Sequence, residues 1–397
     1  MNGGASAMDL APSAPVWWRN PRFHAALFQI AVMTAVVAFL VYIVYNTLHN
    51  MESRGIQSGF GFLGSKADFD ITQSLIAYSP DSSYGRTFLV GLLNTLLVSA
   101  VGIVLATIVG LTVGIARLSP NWLIARLATV YIEVFRNIPL LLLVLFCYFA
   151  VLQVMPSPRQ SYELWGMIFL NIRGLYVPEP EFGVGSIWLV VAFLLAVAAI
   201  VVLARFARRR QQATGKRLPV FWLSVVILLL LPVAGYLLGG RPVTFSYPEL
   251  QGFGFKGGLK MIPEFVALVA ALTLFTAASI GEIVRSGIMA VSHGQTEAAQ
   301  SLGIRSGLTM RLVILPQAMR VIIPPMTSQY LNLTKNSSLA TAIGYPDLVQ
   351  VFAGTTLNQT GNAVEIIAMT MAVYLVISLS ISLFMNWYNR KMALVER

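Results

Sequence analysis

GEIVRSGIMAVSHGQTEAAQSLGIRSGLTMRLVILPQAMRVIIPP (residues 281–325) holds the longest polar interval between two apolar runs on one side of the chain. Ser292 or Thr296 can cap a helix N-terminus, Glu297 favours the first turn electrostatically, and Gly303 suits the left-handed position that ends a helix. The pattern predicts one short helix of about two turns. Ala298, Ala299 and Leu302 share a face by i, i+3 and i+4 spacing, where small residues permit close approach by another surface. Beyond Gly303 a second amphipathic segment leads to Pro316, Pro324 and Pro325, each of which is expected to disrupt a regular helix. The competing reading is an ordinary helix lying on a membrane surface, which rarely needs Ala-Ala-x-x-x-Gly together with Leu-Pro.

Outward from this stretch the chain is apolar. Of 397 residues, 57% are hydrophobic and 11% charged, against roughly 25% charge in a soluble domain. A water-soluble fold is excluded. A hydrocarbon core of about 30 Å needs about 20 apolar residues in a helix, and eight such runs are present: 25–45, 88–116, 138–154, 187–204, 220–239, 263–283, 321–343 and 363–385. The third is short, and the seventh carries Pro324, Pro325 and Lys335. The first run is long enough to span and is read as a retained helix rather than a cleaved signal.

An even number of spans puts both termini on one side. Placing them in the cytoplasm assigns two thirds of the 27 Lys and Arg residues to inside segments, including Arg205, Arg208, Arg209, Arg210, Lys216 and Arg217 at one tip, as the positive-inside rule requires. The net charge of +11 is therefore an orientation signal rather than a nucleic-acid one, and the basic tip is expected to touch anionic lipid. Trp17, Trp18, Trp165, Trp188, Trp222 and Trp387 fit interfacial belts. The outside loops are modest, and none alone suffices for a substantial folded domain.

The same stretch carries a family likeness. Glu297-Ala298-Ala299, then Gly303, then Ile314-Leu315-Pro316, resembles the EAA loop of permease subunits of ABC importers. IEVFRNIPLLL (132–142), LTKNSSLATAIGYPDL (333–348) and GLLNTL (91–96) look like segments of the polar amino-acid uptake branch. The resemblance implies an all-α integral membrane protein with a type I permease core of five helices, here spans two, three, six, seven and eight. To these are added an N-terminal helix and an inserted helical hairpin, an arrangement similar to the larger permeases of general L-amino-acid importers. The implied divisions are a cytoplasmic tail (1–24), the extra helix with its outer loop (25–87), core (88–155), insertion (156–262), core with the EAA loop at about 285–320 (263–388), and a cytoplasmic tail (389–397).

The resemblance further implies a bacterial inner-membrane subunit that imports L-amino acids by alternating access. Glu297, Ala298, Ala299, Leu302, Gly303 and Pro316 would dock a cytoplasmic ATPase. The implied partners are a second permease, two ATPase subunits using ATP and Mg, and a periplasmic amino-acid-binding protein. No GxxxxGK[ST], GxSxG or HExxH occurs, so the chain is expected neither to hydrolyse ATP itself nor to be another enzyme. His24, His49 and His293 are too scattered for a metal site, and Cys147, the single Cys, permits no internal disulfide. A self-sufficient secondary transporter or channel is the alternative; it would be expected to show two related halves, and no internal repeat is evident.

Polar groups at membrane depth are the candidate pathway residues. Phe275, Ser279 and Glu282 share a face of span six; Asn332, Lys335 and Asn336 cluster on span seven; Asn94 lies on span two. Lys335 could donate to a substrate carboxylate and Glu282 accept from its ammonium. Equally, Glu282 could pair with Arg285 at the interface, and Lys335 could snorkel or satisfy broken-helix carbonyls.

Overall fold

The computed structural model describes residues 21–392 apart from 54, 56, 57, 216 and 217. Residues 1–20 and 393–397 of the expected tails (1–24 and 389–397), with Trp17 and Trp18, and Lys216 and Arg217 of the basic tip, lie outside the described residues. Helix α1 (Pro21–Ser53) is long and apolar, and all of its described side chains are exposed. Helix α2 (Tyr84–Arg117) starts at Ser83, whose hydroxyl accepts from the Arg86 amide at 3.4 Å. Its 34 residues extend about 51 Å at 1.5 Å per residue, longer than a bilayer core of about 30 Å.

The third run departs from a plain span. An amphipathic helix α3 (Trp122–Asn137), capped by Asn121 Oδ1 on the amides of Leu123 and Ile124, comes first and falls within a stretch read from sequence as loop. The chain then turns by 107° into α4 (Leu140–Leu145) and a looser coil reaching Val154. Pro139 causes the break: it holds Ile138 extended, at ψ 132°, because its ring disfavours helical backbone in the residue before it.

Two loops that look insubstantial separately pool their strands. Strands β1 (Tyr162–Leu164), β2 (Ile168–Asn171) and β3 (Gly174–Val177) form an antiparallel sheet, and β4 (Glu179–Phe182) leads to α5 (Ser186–Thr214). After α6 (Val220–Leu238), β5 (Val243–Ser246) pairs with β4, β6 (Glu249–Gln251) pairs with β7 (Gly254–Lys256), and β8 (Leu259–Met261) joins the edge of β3. Phe255 packs on Phe169 and Tyr176, with ring centroids 4.6 and 4.9 Å apart, giving this small layer its own core. The α5–α6 hairpin itself closes through small residues: a Cβ on Gly235 would lie 2.5 Å from that of Ala192.

The rest of the chain is α7 (Pro263–Met289), α8 (His293–Ser301), α9 (Ser306–Thr309), α10 (Leu315–Asn336), α11 (Leu357–Thr360) and α12 (Ala363–Met392). Seven helical spans among the described residues are long and apolar enough to cross a membrane, or eight if the bent pair counts as one. Pro324 and Pro325, expected to break the seventh span, lie inside a continuous α10; the irregular turns fall instead at Met310–Ile314 before it and Ser337–Ile343 after it.

Helix α7 is the most buried span and packs parallel to α2. A Cβ on Gly110 would meet Ile280 Cβ at 2.6 Å, and one on Gly114 would meet the Gly281 carbonyl at 2.7 Å. Contact this close between two backbones requires glycine. Gly110→Leu should therefore destabilise the purified protein by about 1–3 kcal/mol or more, as over-packing does. Gly307→Ala, where nothing lies within 4 Å, should leave its unfolding midpoint unchanged.

Candidate functional site

Helix α8 begins after Ser292, although through backbone rather than a side-chain cap, and Thr296 sits mid-helix. Gly303 at φ +71° ends it, with its own amide on the Gln300 carbonyl and the Ile304 amide on that of Ala299. Such a left-handed closure satisfies carbonyls that the helix leaves open. Glu297 falls in the second turn rather than the first and meets His293 Nδ1 at 2.9 Å. The expected common face divides: Ala299 turns inward and is buried, while Ala298 is exposed and Leu302 is 79% exposed.

Gln317 Nε2 donates to Gln295 Oε1 at 3.2 Å, tying α8 to the first turn of α10, where Pro316 sits without breaking the helix. Leu302, Leu308, Met310 and Leu312 all project outward from this loop. The result is a short, stiff, apolar-tipped peg at the end of the bundle opposite the β layer. Exposed apolar groups on this loop make it a candidate surface for another protein.

The polar residues at depth do not gather into one cluster. Glu282 is engaged: Arg117 Nη1 and Arg285 both bind its carboxylate, with Arg285 Nη2 at 2.6 Å from Oε1. Asn94 is buried, and its amide donates to the carbonyls of Gln73 and Pro346 at 2.9 and 2.8 Å, stapling α2 to two loops. Phe275 packs against the main core, Ser279 and Asn336 are half-buried, and Asn332 is exposed. Lys335 is different. It makes no salt bridge among the described residues and lines a groove of about 570 Å³ between the end of α10 and α12, with Ser338, Thr341, Thr370, Tyr374 and Ser378. The Ser378 hydroxyl is buried there without a hydrogen-bond partner.

Sequence reasoning passed over Asp347. It is fully buried, accepts from the Gln350 amide at 2.8 Å, and receives the Tyr374 hydroxyl at 3.4 Å. An Asp just before a helical segment is a capping signal, and Tyr345-Pro346-Asp347 ahead of the turns at Val349–Thr356 could have been read that way. Burial raises its carboxyl from 3.8 to about 7, against the opposing effect of its hydrogen bonds. A raised folded-state value means that this group's stabilisation is complete below about pH 4 and is lost as pH rises toward 7. Asp347→Asn should accordingly melt progressively higher than the wild type as pH is raised from 4 to 7, with the difference level above that; thermal unfolding across this range tests it.

Membrane-length helices, with a groove between α10 and α12, define a polytopic membrane protein. Residues 213–394 match the family described as "Binding-protein-dependent transport system inner membrane component". The chain is 53% identical to the putative amino-acid ABC transporter permease protein YhdX of Escherichia coli, over 95% of this chain and 96% of that one. It is 48% identical to the general L-amino acid transport system permease protein AapQ of Rhizobium johnstonii, over 98% and 99%. With the glutamate/glutamine/aspartate/asparagine transport system permease protein BztB of Rhodobacter capsulatus it shares 44%, over 95% and 96%. The chain belongs to the inner-membrane permease components of binding-protein-dependent ABC transport systems. It is a multi-pass protein that transports rather than catalyses.

Proposed function

We propose that this permease imports L-amino acids across the bacterial inner membrane, with ATP and Mg consumed by partner ATPases. Full-length similarity to three amino-acid permeases carries this reading. Helices α2, α7, α10 and α12 with the α4 segment form the five-span type I core, α1 is an addition, and 156–262 is an inserted hairpin with outer strands. The termini and α8 face the cytoplasm, and the β layer faces the periplasm, in keeping with the basic residues of α5 and the α8–α10 loop.

Glu297, Ala298, Ala299, Leu302, Gly303 and Pro316 form or brace the ATPase-docking peg, each of two ATPases meeting one permease. The second permease is a homologous partner, and a periplasmic binding protein delivers the amino acid. Along the pathway Lys335 receives the substrate carboxylate. Asn332, Asn336, Ser279 and Phe275 border the route, and Asn94 shapes its outer end. Glu282 is the weakest of the pathway candidates, since two arginines already occupy its carboxylate.

Purification of the tagged chain from its native membrane, followed by identification of what accompanies it, tests the assembly. The expected companions are one different permease and two copies of an ATPase. A chain that purifies alone yet transports would support a self-sufficient carrier instead.

A further inference from the structure

We infer that Arg117 is a positioning residue for coupling: it locks the last turn of α2 onto the end of α7 and so fixes where the docking helix α8 stands. The inference rests on the importer reading. Gly114 lies against Gly281 and Val284 with no side chain between the helices, so the next turn of α2 brings Arg117 directly to Glu282. Arg117 Nη1 contacts Glu282 Oε2, and its Nη2 lies 3.6 Å from Glu133 Oε1 of α3. Glu282 is held from its other side by Arg285 Nε at 3.1 and 3.2 Å and by the Ser286 hydroxyl at 3.2 Å.

The Arg117 and Glu282 side chains are only 17% and 20% exposed. Ion pairs so shielded are screened less by salt than surface pairs, and a forked guanidinium fixes direction as well as distance. Three helices, α2, α3 and α7, thus meet at one guanidinium, that of Arg117, at the level where α7 hands over to α8. Helix α8 packs chiefly on α9 and on Met310–Ile314, so its placement relative to the bundle is inherited from the end of α7 and the start of α10. Gly287 seats α7 on Ile322 and Ala318 of α10, and Arg117 seats it on α2. Motion imposed on α8 can then pass to α2 and α3 as well as α7, because the charged cluster makes their ends one body.

The test uses the assembled transporter with its second permease and ATPases, comparing wild type, Arg117→Met, Glu282→Gln and the exchange Arg117→Glu with Glu282→Arg. Two quantities are read: hydrogen exchange of the α8 amides, and the stimulation of ATP hydrolysis by binding protein saturated with mixed L-amino acids. Each single variant is expected to keep the subunit composition, speed α8 exchange about tenfold and cut the stimulation about fivefold, on the scale of one charge-assisted contact. The exchange variant should recover more than half of both. Unchanged α8 exchange and stimulation in assembled Arg117→Met would overturn the inference, as would an assembled exchange variant with no recovery. If Arg117→Met does not assemble, Arg117→Lys decides: partial loss of both is expected, and wild-type values in both overturn it. A wild-type complex with no stimulation would count against the importer reading, while α8 exchange would still judge Arg117.

Discussion

Leu302→Glu is expected to abolish ATP-dependent uptake while the chain remains in the membrane at its normal level. Leu302 is 79% exposed and lies just past α8, so the substitution removes almost no internal packing. Its effect falls on whatever receives the peg. A carboxylate pressed into an apolar groove must lose its water, and disrupting such a buried anchor costs on the order of 2–4 kcal/mol, which weakens association about 30- to 1,000-fold. Co-purification of the ATPase subunits should fall accordingly. Gly303→Val should act in the same direction more weakly, because a β-branched residue at φ +71° costs about 1–2 kcal/mol and re-aims the end of the helix. Full ATPase recovery with Leu302→Glu would remove this loop as the docking surface.

Lys335→Ala should lower the maximal uptake rate about 10- to 100-fold, the range of a charge-assisted hydrogen bond to a substrate carboxylate, with assembly unchanged. Lys335→Arg should retain most of the transport, because it keeps the positive charge. The argument is one of cost. A charge within a span is expensive, Lys335 makes no salt bridge among the described residues, and it opens onto a groove large enough for a small solute. A lysine that merely snorkels to the interface would tolerate alanine, so wild-type uptake by assembled Lys335→Ala would withdraw it from the pathway.

Much of the fold was legible because a bilayer makes the code simple: runs of about 20 apolar residues become helices. What escaped did so for identifiable reasons. Helix α3 carries Arg126, Glu133 and Arg136 on one side, so it reads as a loop between spans until its other side is seen to be apolar. The β layer is built from strands of three or four residues, too short for a period-two signal, and its halves are separated by the whole α5–α6 hairpin.

The local structure of the loop after α7 was the most legible part of the candidate site. A short helix and a closing glycine are local features, whereas the backbone start at Ser292, the place of Glu297 in the second turn and the inward turn of Ala299 show only in the fold. Long-range pairing was not legible: Arg117 reaches Glu282 across 165 positions. Pro324 and Pro325 misled in the other direction, since neighbouring turns inside a bundle absorb the prolines that would break an isolated helix.

The central claim is tested by sealed vesicles holding the complete transporter, with binding protein and labelled L-amino acids on one side and ATP with Mg on the other. The account predicts that label accumulates only when the ATPase subunits are present and ATP can be hydrolysed. Accumulation by this chain without ATPase, driven by an ion gradient, would contradict it, as would no accumulation in the complete system.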